Sequence, residues 1–215
     1  MTAIVFDLDG TLIDSAPDLH AAALNLLRAE GLPDITFDQT RSFIGNGVPK
    51  LVERVMQAVD LPADPARHAD LVAGFLRFYN AEPAVRTTVY PGVHAALHRL
   101  AAQGVPMGLC TNKPEGPSRA ILAALDLAEF MDVVIGGDTL AVKKPDPTPL
   151  RMAFDRLGAG TGLFVGDSEV DSATAQALGV PFALYEGGYR RSPVTEIPHT
   201  HLFADFADLV ALSPA

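Results

Sequence analysis

The sequence predicts an α/β fold: a doubly wound, Rossmann-like parallel sheet with an inserted all-helical subdomain. Short apolar runs rich in β-branched residues recur along the chain, at 3–6, 105–110, 133–135, 162–165 and 182–185. From the second run onward, the stretches between runs suit amphipathic helices, and strands that alternate with helices form a parallel sheet covered on both faces. The first two runs lie much further apart than one crossover helix requires, which indicates an insertion.

Cap and turn residues mark the ends of two helices in the second half of the chain. Pro91 and Gly92 open a helix that ends at Gly104, and Ser168 begins a helix that ends at Gly179. These positions fit the preference for Ser before a helix and for Gly directly after one. Both helices are expected to cover the sheet.

The inserted segment has a helical pattern throughout. Ser15 and Pro17 start a helix that ends at Gly31, Asp38 is expected to cap a short helix, and 49–59 and 65–79 supply two more. We therefore predict an α/β core made of residues 1–13 and 87–215. Residues 14–86 are predicted to form a helical cap between its first two strands.

Composition narrows the class of partner. The 215 residues are 48% hydrophobic, enough to fill a substantial core, and the formal net charge is -10. Such a charge disfavours nucleic acid and anionic membranes, because both need a basic surface on the protein. The single cysteine, Cys110, is expected to be a buried strand residue. With no signal peptide or membrane span, we expect a cytoplasmic monomer or homodimer whose partner is a small metabolite.

Two carboxylates stand two residues apart where the first strand ends. Asp7 and Asp9 lie in the pentapeptide Asp-Leu-Asp-Gly-Thr, directly after the apolar run. Like charges leaving a buried strand repel unless a cation or a proton-transfer role offsets the repulsion. The arrangement indicates magnesium-dependent phosphoryl chemistry.

Polar residues follow the next predicted strands as well, and ligands of open parallel sheets collect at the carboxyl ends of the strands. These residues are Thr111 and Asn112 after the second strand, Asp138 and then Lys143 and Lys144 after the third, and Asp167 after the fourth, with Asp171 one helical turn further on. Carboxylates, a hydroxyl and an ammonium group are thus expected to converge on one crevice.

Each of these residue types has a task in phosphoryl transfer, which depends on positioning and on charge neutralisation. Asp7 can attack phosphorus and form an aspartyl-phosphate. Mg²⁺ takes one or two carboxylates, here Asp7 and Asp167, and the backbone carbonyl of Asp9 is a third candidate ligand. The Asp9 side chain then serves as general acid and base. Thr111 and Lys144 are expected to stabilise the phosphoryl oxygens.

The same residues resemble the four ordered motifs of the haloacid dehalogenase superfamily of phosphatases. The motifs are represented by 7–11, Thr111-Asn112, Lys144 with the Pro-rich run 145–149, and 166–171. The resemblance covers the whole chain, including a helical cap after the first motif. It implies Asp7 as nucleophile, Asp9 as general acid/base, Thr111 and Lys144 as phosphate binders, and Asp167 as a magnesium ligand. Asp171 would support the metal site or orient Lys144. Lys143 competes for the lysine role, but Lys144 directly precedes the Pro-rich run.

The stretch 44–54 is similar to the cap of bacterial phosphoglycolate phosphatases, so 2-phosphoglycolate is the expected substrate. This compound is small and carries a carboxylate beyond its phosphate, so a cap must supply cations and donors. Arg41, Asn46 and Lys50 flank the glycine-rich turn and are the candidates. The competing interpretation is that Arg41, Lys50 and Arg54 form a solvated helix face. The paired arginines in the loop 187–193 are likewise interpreted as solvated surface charge.

Alternative functions remain open at this point. A pyrophosphatase or a sugar-phosphate phosphatase would keep the same core, and a phosphomutase of the β-phosphoglucomutase kind would transfer the phosphoryl group back to a sugar. A hydrolytic dehalogenase of this fold does not need the second Asp, so Asp9 argues against it. A non-catalytic binding module on a retired phosphatase scaffold is the alternative outside enzymes.

Overall fold

The structure is a computed structural model that describes residues 3–81 and 84–212. The strands are β1 Ala3–Phe6, β2 Ile13–Asp14, β3 Thr88–Val89, β4 Met107–Cys110, β5 Val133–Ile135, β6 Gly162–Gly166, β7 Phe182–Tyr185 and β8 His201–Phe203. The α-helices are α1 Ala16–Ala29, α2 Phe37–Phe43, α3 Val48–Ala58, α4 Pro65–Ala81, α5 Val93–Ala102, α6 Glu115–Ala124, α7 Thr148–Arg156, α8 Glu169–Leu178 and α9 Phe206–Ala211. Among the described residues, no helix is both long and apolar enough to cross a membrane.

The central sheet has six strands in the order β5-β4-β1-β6-β7-β8, and every neighbouring pair is parallel. β1 lies in the middle, where Ile4 is in register with Met107 on one side and Leu163 on the other. Its residues are all buried, as expected for a strand covered on both faces. The predicted α/β class is confirmed, and each of the five predicted strands is present.

The structure adds three strands that the sequence did not predict. β8 forms one edge of the sheet; of its three residues only Phe203 is buried, so it has no apolar run to reveal it. β2 and β3 have two residues each and pair antiparallel, with Ile13 opposite Val89. Such short pairings lie below the length at which periodicity indicates a strand.

Side chains from the strands and from the helices beside them fill the core on one side of the sheet. Members of this cluster include Val5, Phe154, Phe164, Phe182 and Leu184. Cys110 belongs to the same cluster, and burial raises the pKa of its thiol to about 12. The interpretation of this cysteine as a buried, unreactive strand residue agrees with its place in the structure.

The chain divides into two compact units, one made of Met1–Asp14 with Thr88–Ala215 and the other of Ser15–Thr87. The first unit contains the six-stranded sheet. The second contains α1 to α4, with α1 and α3 packed on α4. Close packing inside this second unit is clear at Gly74, where an added Cβ would lie 2.9 Å from Leu26 Cδ1.

One sequence expectation in the second unit is wrong. Asp38 does not cap the short helix α2; Thr36 is its N-cap, and Asp38 lies in the first turn. The Thr36 hydroxyl accepts a hydrogen bond from the Gln39 backbone N–H at 3.2 Å. The Gln39 side-chain oxygen Oε1 accepts one from the Thr36 backbone N–H at 2.8 Å. This reciprocal capping box satisfies two helix-end donors, so it outcompetes a single acidic residue two positions later.

Candidate active site

The site is built on a tight turn that follows β1. The N–H groups of Thr11, Leu12 and Ile13 all point at the Leu8 carbonyl oxygen, at 3.0–3.2 Å. Gly10 makes this turn possible with a φ of +92°. A Cβ at this position would also lie 2.4 Å from Asp167 Oδ2, so the turn requires glycine for its conformation and for space.

Asp7 shares a buried lysine with Asp171. Lys144 Nζ lies 2.8 Å from Asp7 Oδ1 and 2.6 Å from Asp171 Oδ1. The contact with Asp171 is a hydrogen bond, and the contact with Asp7 is an ion pair. A buried carboxylate oxygen that is held by a single ammonium group keeps a lone pair for a further ligand.

The pKa values at the site are shifted by burial and by neighbouring charge. Burial raises the pKa of Asp7 to about 6, although Lys144 opposes the shift. Burial also raises the pKa of Asp167 well above its ordinary value, and the charges of Asp171 and Asp7 add to this rise. Burial alone would lower the pKa of Lys144, but Asp171 and Asp7 outweigh it and the pKa is raised. The lysine is therefore a fixed positive charge.

Three buried carboxylates form a cluster that suits a metal ion. One oxygen each from Asp7, Asp167 and Asp171 lie within 4.8 Å of one another. Oxygen donors this close together fit Mg²⁺. A dication would also offset the mutual repulsion of the carboxylates, which adds to the rise in the pKa of Asp7 and Asp167. Asp171 already binds Lys144 through Oδ1, and its Oδ2 accepts from the Ser168 hydroxyl at 2.6 Å. It is thus better placed to orient the lysine than to ligate a metal.

Asp167 is oriented by a hydrogen-bond donor on each oxygen. The Thr11 hydroxyl donates to Oδ1 at 2.7 Å, and the Tyr189 N–H donates to Oδ2 at 2.6 Å. Each carboxylate oxygen retains a lone pair for a further ligand. Thr11, expected from the sequence to be a turn and packing residue, therefore also positions the carboxylate.

Asp9 points to a different cation. Lys113 Nζ lies 3.0 Å from Asp9 Oδ1 and 3.2 Å from Oδ2, and only about 5% of the lysine side chain is exposed. Both oxygens are therefore engaged by one ammonium group. The two aspartates of the first motif thus have separate partners, Lys144 for Asp7 and Lys113 for Asp9.

Thr111 and Asn112 shape the loop after β4. The Thr111 N–H continues the ladder by donating to the Ile135 carbonyl at 3.0 Å, and its hydroxyl accepts from the Lys113 N–H at 3.2 Å. The Asn112 amide donates to the Lys144 carbonyl at 3.1 Å. This last bond ties the second motif to the lysine loop.

The structure brings the core candidates together at the carboxyl ends of the strands. They are Asp7, Asp9, Thr111, Asn112, Lys144, Asp167 and Asp171, of which Asp9 is partly exposed and the others are buried. Lys143 is exposed whereas Lys144 is buried, which agrees with the preference for Lys144. The functional roles of all these residues stay predictions.

The three cap candidates lie in the second unit, at the end of α2 and at the start of α3. Arg41 is exposed, and Lys50 pairs with Glu53 at 2.6 Å on the surface. The Asn46 side-chain oxygen accepts from the Arg54 guanidinium at 2.8 Å, and Arg54 also donates to the Phe43 carbonyl at 2.7 Å. Arg54 thus braces the glycine-rich turn rather than lying on a purely solvated face.

Sequence reasoning missed two residues of the site. Lys113 directly follows Thr111-Asn112, so it could have been found as a further polar residue at the end of the same predicted strand. Tyr189 directly precedes the paired arginines, which the sequence predicts to be solvated surface charge, yet it is only 4% exposed. No sequence signal pointed to it, because its contact with Asp167 is made by the backbone.

The fold and the acidic site at the carboxyl edge of the sheet define an α/β enzyme with a candidate magnesium centre. The chain belongs to the haloacid dehalogenase-like hydrolase family, whose model matches residues 4–185, and the predicted family and the prediction of a hydrolase are confirmed. A protein named phosphoglycolate phosphatase from Cereibacter sphaeroides is 50% identical over 97% of this chain and 96% of its own. One of the same name from Rhodobacter capsulatus is 43% identical over 96% and 94%. A crystal structure described as a predicted phosphoglycolate phosphatase from Haemophilus somnus 129pt has a TM-score of 0.92 and 29% identity, covering 99% of this chain and 97% of that one.

Proposed function

We propose that the protein hydrolyses a small phosphate monoester, 2-phosphoglycolate, with Mg²⁺ and through an aspartyl-phosphate on Asp7. The observation that carries the reaction type is the Asp7 carboxylate, buried, ion-paired with Lys144 and grouped with Asp167. Such a carboxylate is oriented for attack and has a fixed cation beside the position that a transferring phosphoryl group would take.

Asp7 and Asp167 would hold the magnesium ion, with the Asp9 backbone carbonyl as the predicted third protein ligand. When bound, Mg²⁺ supplies positive charge that neutralises the phosphoryl oxygens and the acidic cluster. The fit rests on the buried oxygens of the cluster and on the spare acceptor capacity of Asp7 Oδ1.

In the first half-reaction, an Asp7 oxygen forms a bond to phosphorus while the bond between phosphorus and the ester oxygen breaks. The Asp9 carboxyl donates its proton to the leaving oxygen, and the alcohol departs. In the second half-reaction, Asp9 accepts a proton from water as the water oxygen attacks phosphorus. Inorganic phosphate leaves and the Asp7 carboxylate is restored. Lys144 and the Thr111 hydroxyl stabilise the phosphoryl oxygens in both steps.

The substrate is proposed from the similarity of nearly the whole chain to the Cereibacter sphaeroides relative and its name. The helical unit is proposed to act as a cap that selects the substrate, with Arg41, Asn46 and Lys50 as the candidate contacts for its carboxylate. The Lys50 pair with Glu53 does not oppose this role, because both side chains are more than 40% exposed and such pairs contribute little to stability.

Phosphate release with and without Mg²⁺ tests this proposal. The assay compares 2-phosphoglycolate, pyrophosphate, sugar phosphates and nucleotides, and it also follows isomerisation of a sugar 1-phosphate. We expect Mg²⁺-dependent release with a wide preference for 2-phosphoglycolate in kcat/KM. A flat profile would contradict the substrate, and isomerisation without free phosphate would indicate a mutase. No phosphate release from any compound would revive the non-catalytic module.

A pair of variants tests the cap contact. Lys50→Gln is expected to raise KM for 2-phosphoglycolate with little change in kcat, because it removes a contact to a non-reacting part of the substrate. Arg28→Gln is the matched control, since Arg28 is another surface cation of the same unit, paired with Asp34 at 2.9 Å. Equal KM values for both variants and the wild type would remove Lys50 from the site.

A further inference from the structure

The loop of residues 186–192, which follows β7, contacts the candidate metal site through Tyr189. This residue is 4% exposed, and its N–H donates to Asp167 Oδ2 at 2.6 Å. The contact is made by the main chain, so any residue except proline could make it at this position if the loop kept its shape.

The side chain ties the loop to a second place in the same unit. The Tyr189 hydroxyl donates to the carboxylate of Asp14, the last residue of β2, which pairs with Thr88 of β3. Because the ring is rigid, a hydrogen bond at its hydroxyl end constrains the backbone at its other end. Asp14 and Asp167 are thereby connected through one residue.

The rest of the loop is anchored independently of the hydroxyl group. Glu169 Oε1 accepts from the N–H groups of Arg191 at 2.8 Å and Ser192 at 2.6 Å, and Arg190 donates to the Tyr185 carbonyl at 3.3 Å. Loss of the tyrosine hydroxyl alone should therefore leave the loop in place. The loss should instead change the alignment of the Tyr189 N–H with the Asp167 carboxylate.

Close packing leaves the Asp167 carboxylate little room. A Cβ at Gly188 would lie 2.2 Å from Asp167 Cβ, and a Cβ at Gly10 would lie 2.9 Å from Tyr189 Cδ2. The carboxylate is enclosed between the turn after β1 and this loop, with Thr11 and Tyr189 donating to its two oxygens. A small shift of Tyr189 would thus rotate the Asp167 carboxylate, and a metal ion needs this carboxylate in a fixed orientation.

We propose that Tyr189 is a positioning residue for the divalent cation, which it serves by holding Asp167 in its ligating orientation through its bond to Asp14. The proposal rests on the magnesium site of the proposed function. Outer contacts of this kind orient metal ligands, and their loss typically weakens metal affinity by about 10–100-fold.

Binding of Mn²⁺ in the absence of substrate, followed by electron paramagnetic resonance of the free ion, tests the proposal. Tyr189→Phe keeps the ring and the N–H, and we expect its Mn²⁺ dissociation constant to rise about 10-fold. Tyr79→Phe is the matched control, because Tyr79 is equally buried and lies in the other unit. The thermal unfolding midpoints of both metal-free variants measure any general loss of stability.

A double-mutant cycle with Asp14→Ala tests whether the two side chains act on the metal site through their shared contact. We expect the double variant to bind Mn²⁺ no more weakly than the worse single variant, since both changes break the same bond. Wild-type affinity in Tyr189→Phe, or additive losses in the cycle, would overturn the inference and leave the proposed phosphatase untouched. A wild-type protein that binds Mn²⁺ but releases no phosphate would instead overturn the proposed function alone. Absence of Mn²⁺ binding by the wild type would overturn both.

Discussion

At the scale of single residues, burial and charge act on the Asp7 carboxyl in opposite directions. Burial raises its pKa to about 6, and the Lys144 ammonium limits the rise. The carboxyl is therefore neutral in mild acid and ionised at neutral pH, where its charge adds to the repulsion within the acidic cluster. Without a bound cation, this charge is a cost to the folded state.

Because the ionised Asp7 carboxylate destabilises the metal-free folded protein, its stability should depend on pH. A carboxyl whose pKa is higher in the folded than in the unfolded state binds protons more tightly when folded, so stability falls as pH rises between the two values. For Asp7 this range runs from about 4 to about 6, which corresponds to a change of roughly 3 kcal/mol in the free energy of unfolding.

Asp7→Asn removes this titration. In chelator-treated protein we expect the variant to match or exceed the wild type in unfolding free energy above pH 7, and to lose this advantage near pH 4. Urea unfolding of both proteins across this pH range measures the difference. A wild type that gains stability relative to Asp7→Asn as pH rises would contradict the raised pKa.

Substitution of Lys113 tests whether this lysine positions the Asp9 carboxylate. Its ammonium contacts both oxygens of Asp9, so Lys113→Met should leave the proposed general acid/base without its orienting partner. We expect kcat to fall about 100-fold, the order of loss that misplacing a catalytic group produces. Steady-state kinetics on 2-phosphoglycolate measures this effect.

The Mn²⁺ affinity of this variant distinguishes a misplaced Asp9 side chain from a general disturbance of the site. Because the Lys113 ammonium pairs with Asp9, which is not a member of the acidic cluster, the Mn²⁺ affinity of Lys113→Met should stay close to that of the wild type. Lys113→Arg, which keeps the charge, should recover part of kcat. A kcat unchanged in Lys113→Met would remove this lysine from the mechanism.

At the scale of elements, a single carboxylate joins the two ends of the helical unit. Asp18, in the first turn of α1, is 3% exposed. It accepts from the N–H groups of Arg86 at 3.0 Å and Thr87 at 2.8 Å, and from the Thr87 hydroxyl at 2.7 Å. Three donors on one buried carboxylate hold the returning chain against the start of α1.

Asp18→Ala should therefore destabilise the protein. The change leaves buried donors without their acceptor, which costs about 1–3 kcal/mol for each unsatisfied group. Urea unfolding measures the loss, and Asp38→Ala is the control, because Asp38 also lies in a first helical turn but is exposed. Equal effects of the two substitutions would show that the Asp18 contacts contribute nothing beyond its helix position.

At the scale of the whole molecule, the sequence predicted the central sheet because its strands are short, continuous apolar runs. β1 and β4 are buried at every residue, and burial on both faces leaves this pattern. β8 escaped prediction because an edge strand of three residues with one buried side chain carries no such pattern.

The candidate site was predictable to the extent that its side chains follow strands. Asp7, Thr111 and Asp167 were found because each comes directly after an apolar run. Tyr189 was not, since a backbone N–H contact across 22 residues leaves no trace in residue type. Asp18 was missed for a related reason, because its partners are mostly main-chain groups of a distant segment.

Turnover of Asp7→Asn tests whether Asp7 is the nucleophile of a magnesium-dependent phosphatase. The amide keeps the shape of the side chain but cannot form the aspartyl-phosphate. With saturating Mg²⁺ and 2-phosphoglycolate, we expect kcat to fall by at least about 1,000-fold, the scale on which loss of a nucleophile acts. Circular dichroism checks that the variant is folded. Turnover within a few-fold of the wild type would show that Asp7 is not the nucleophile.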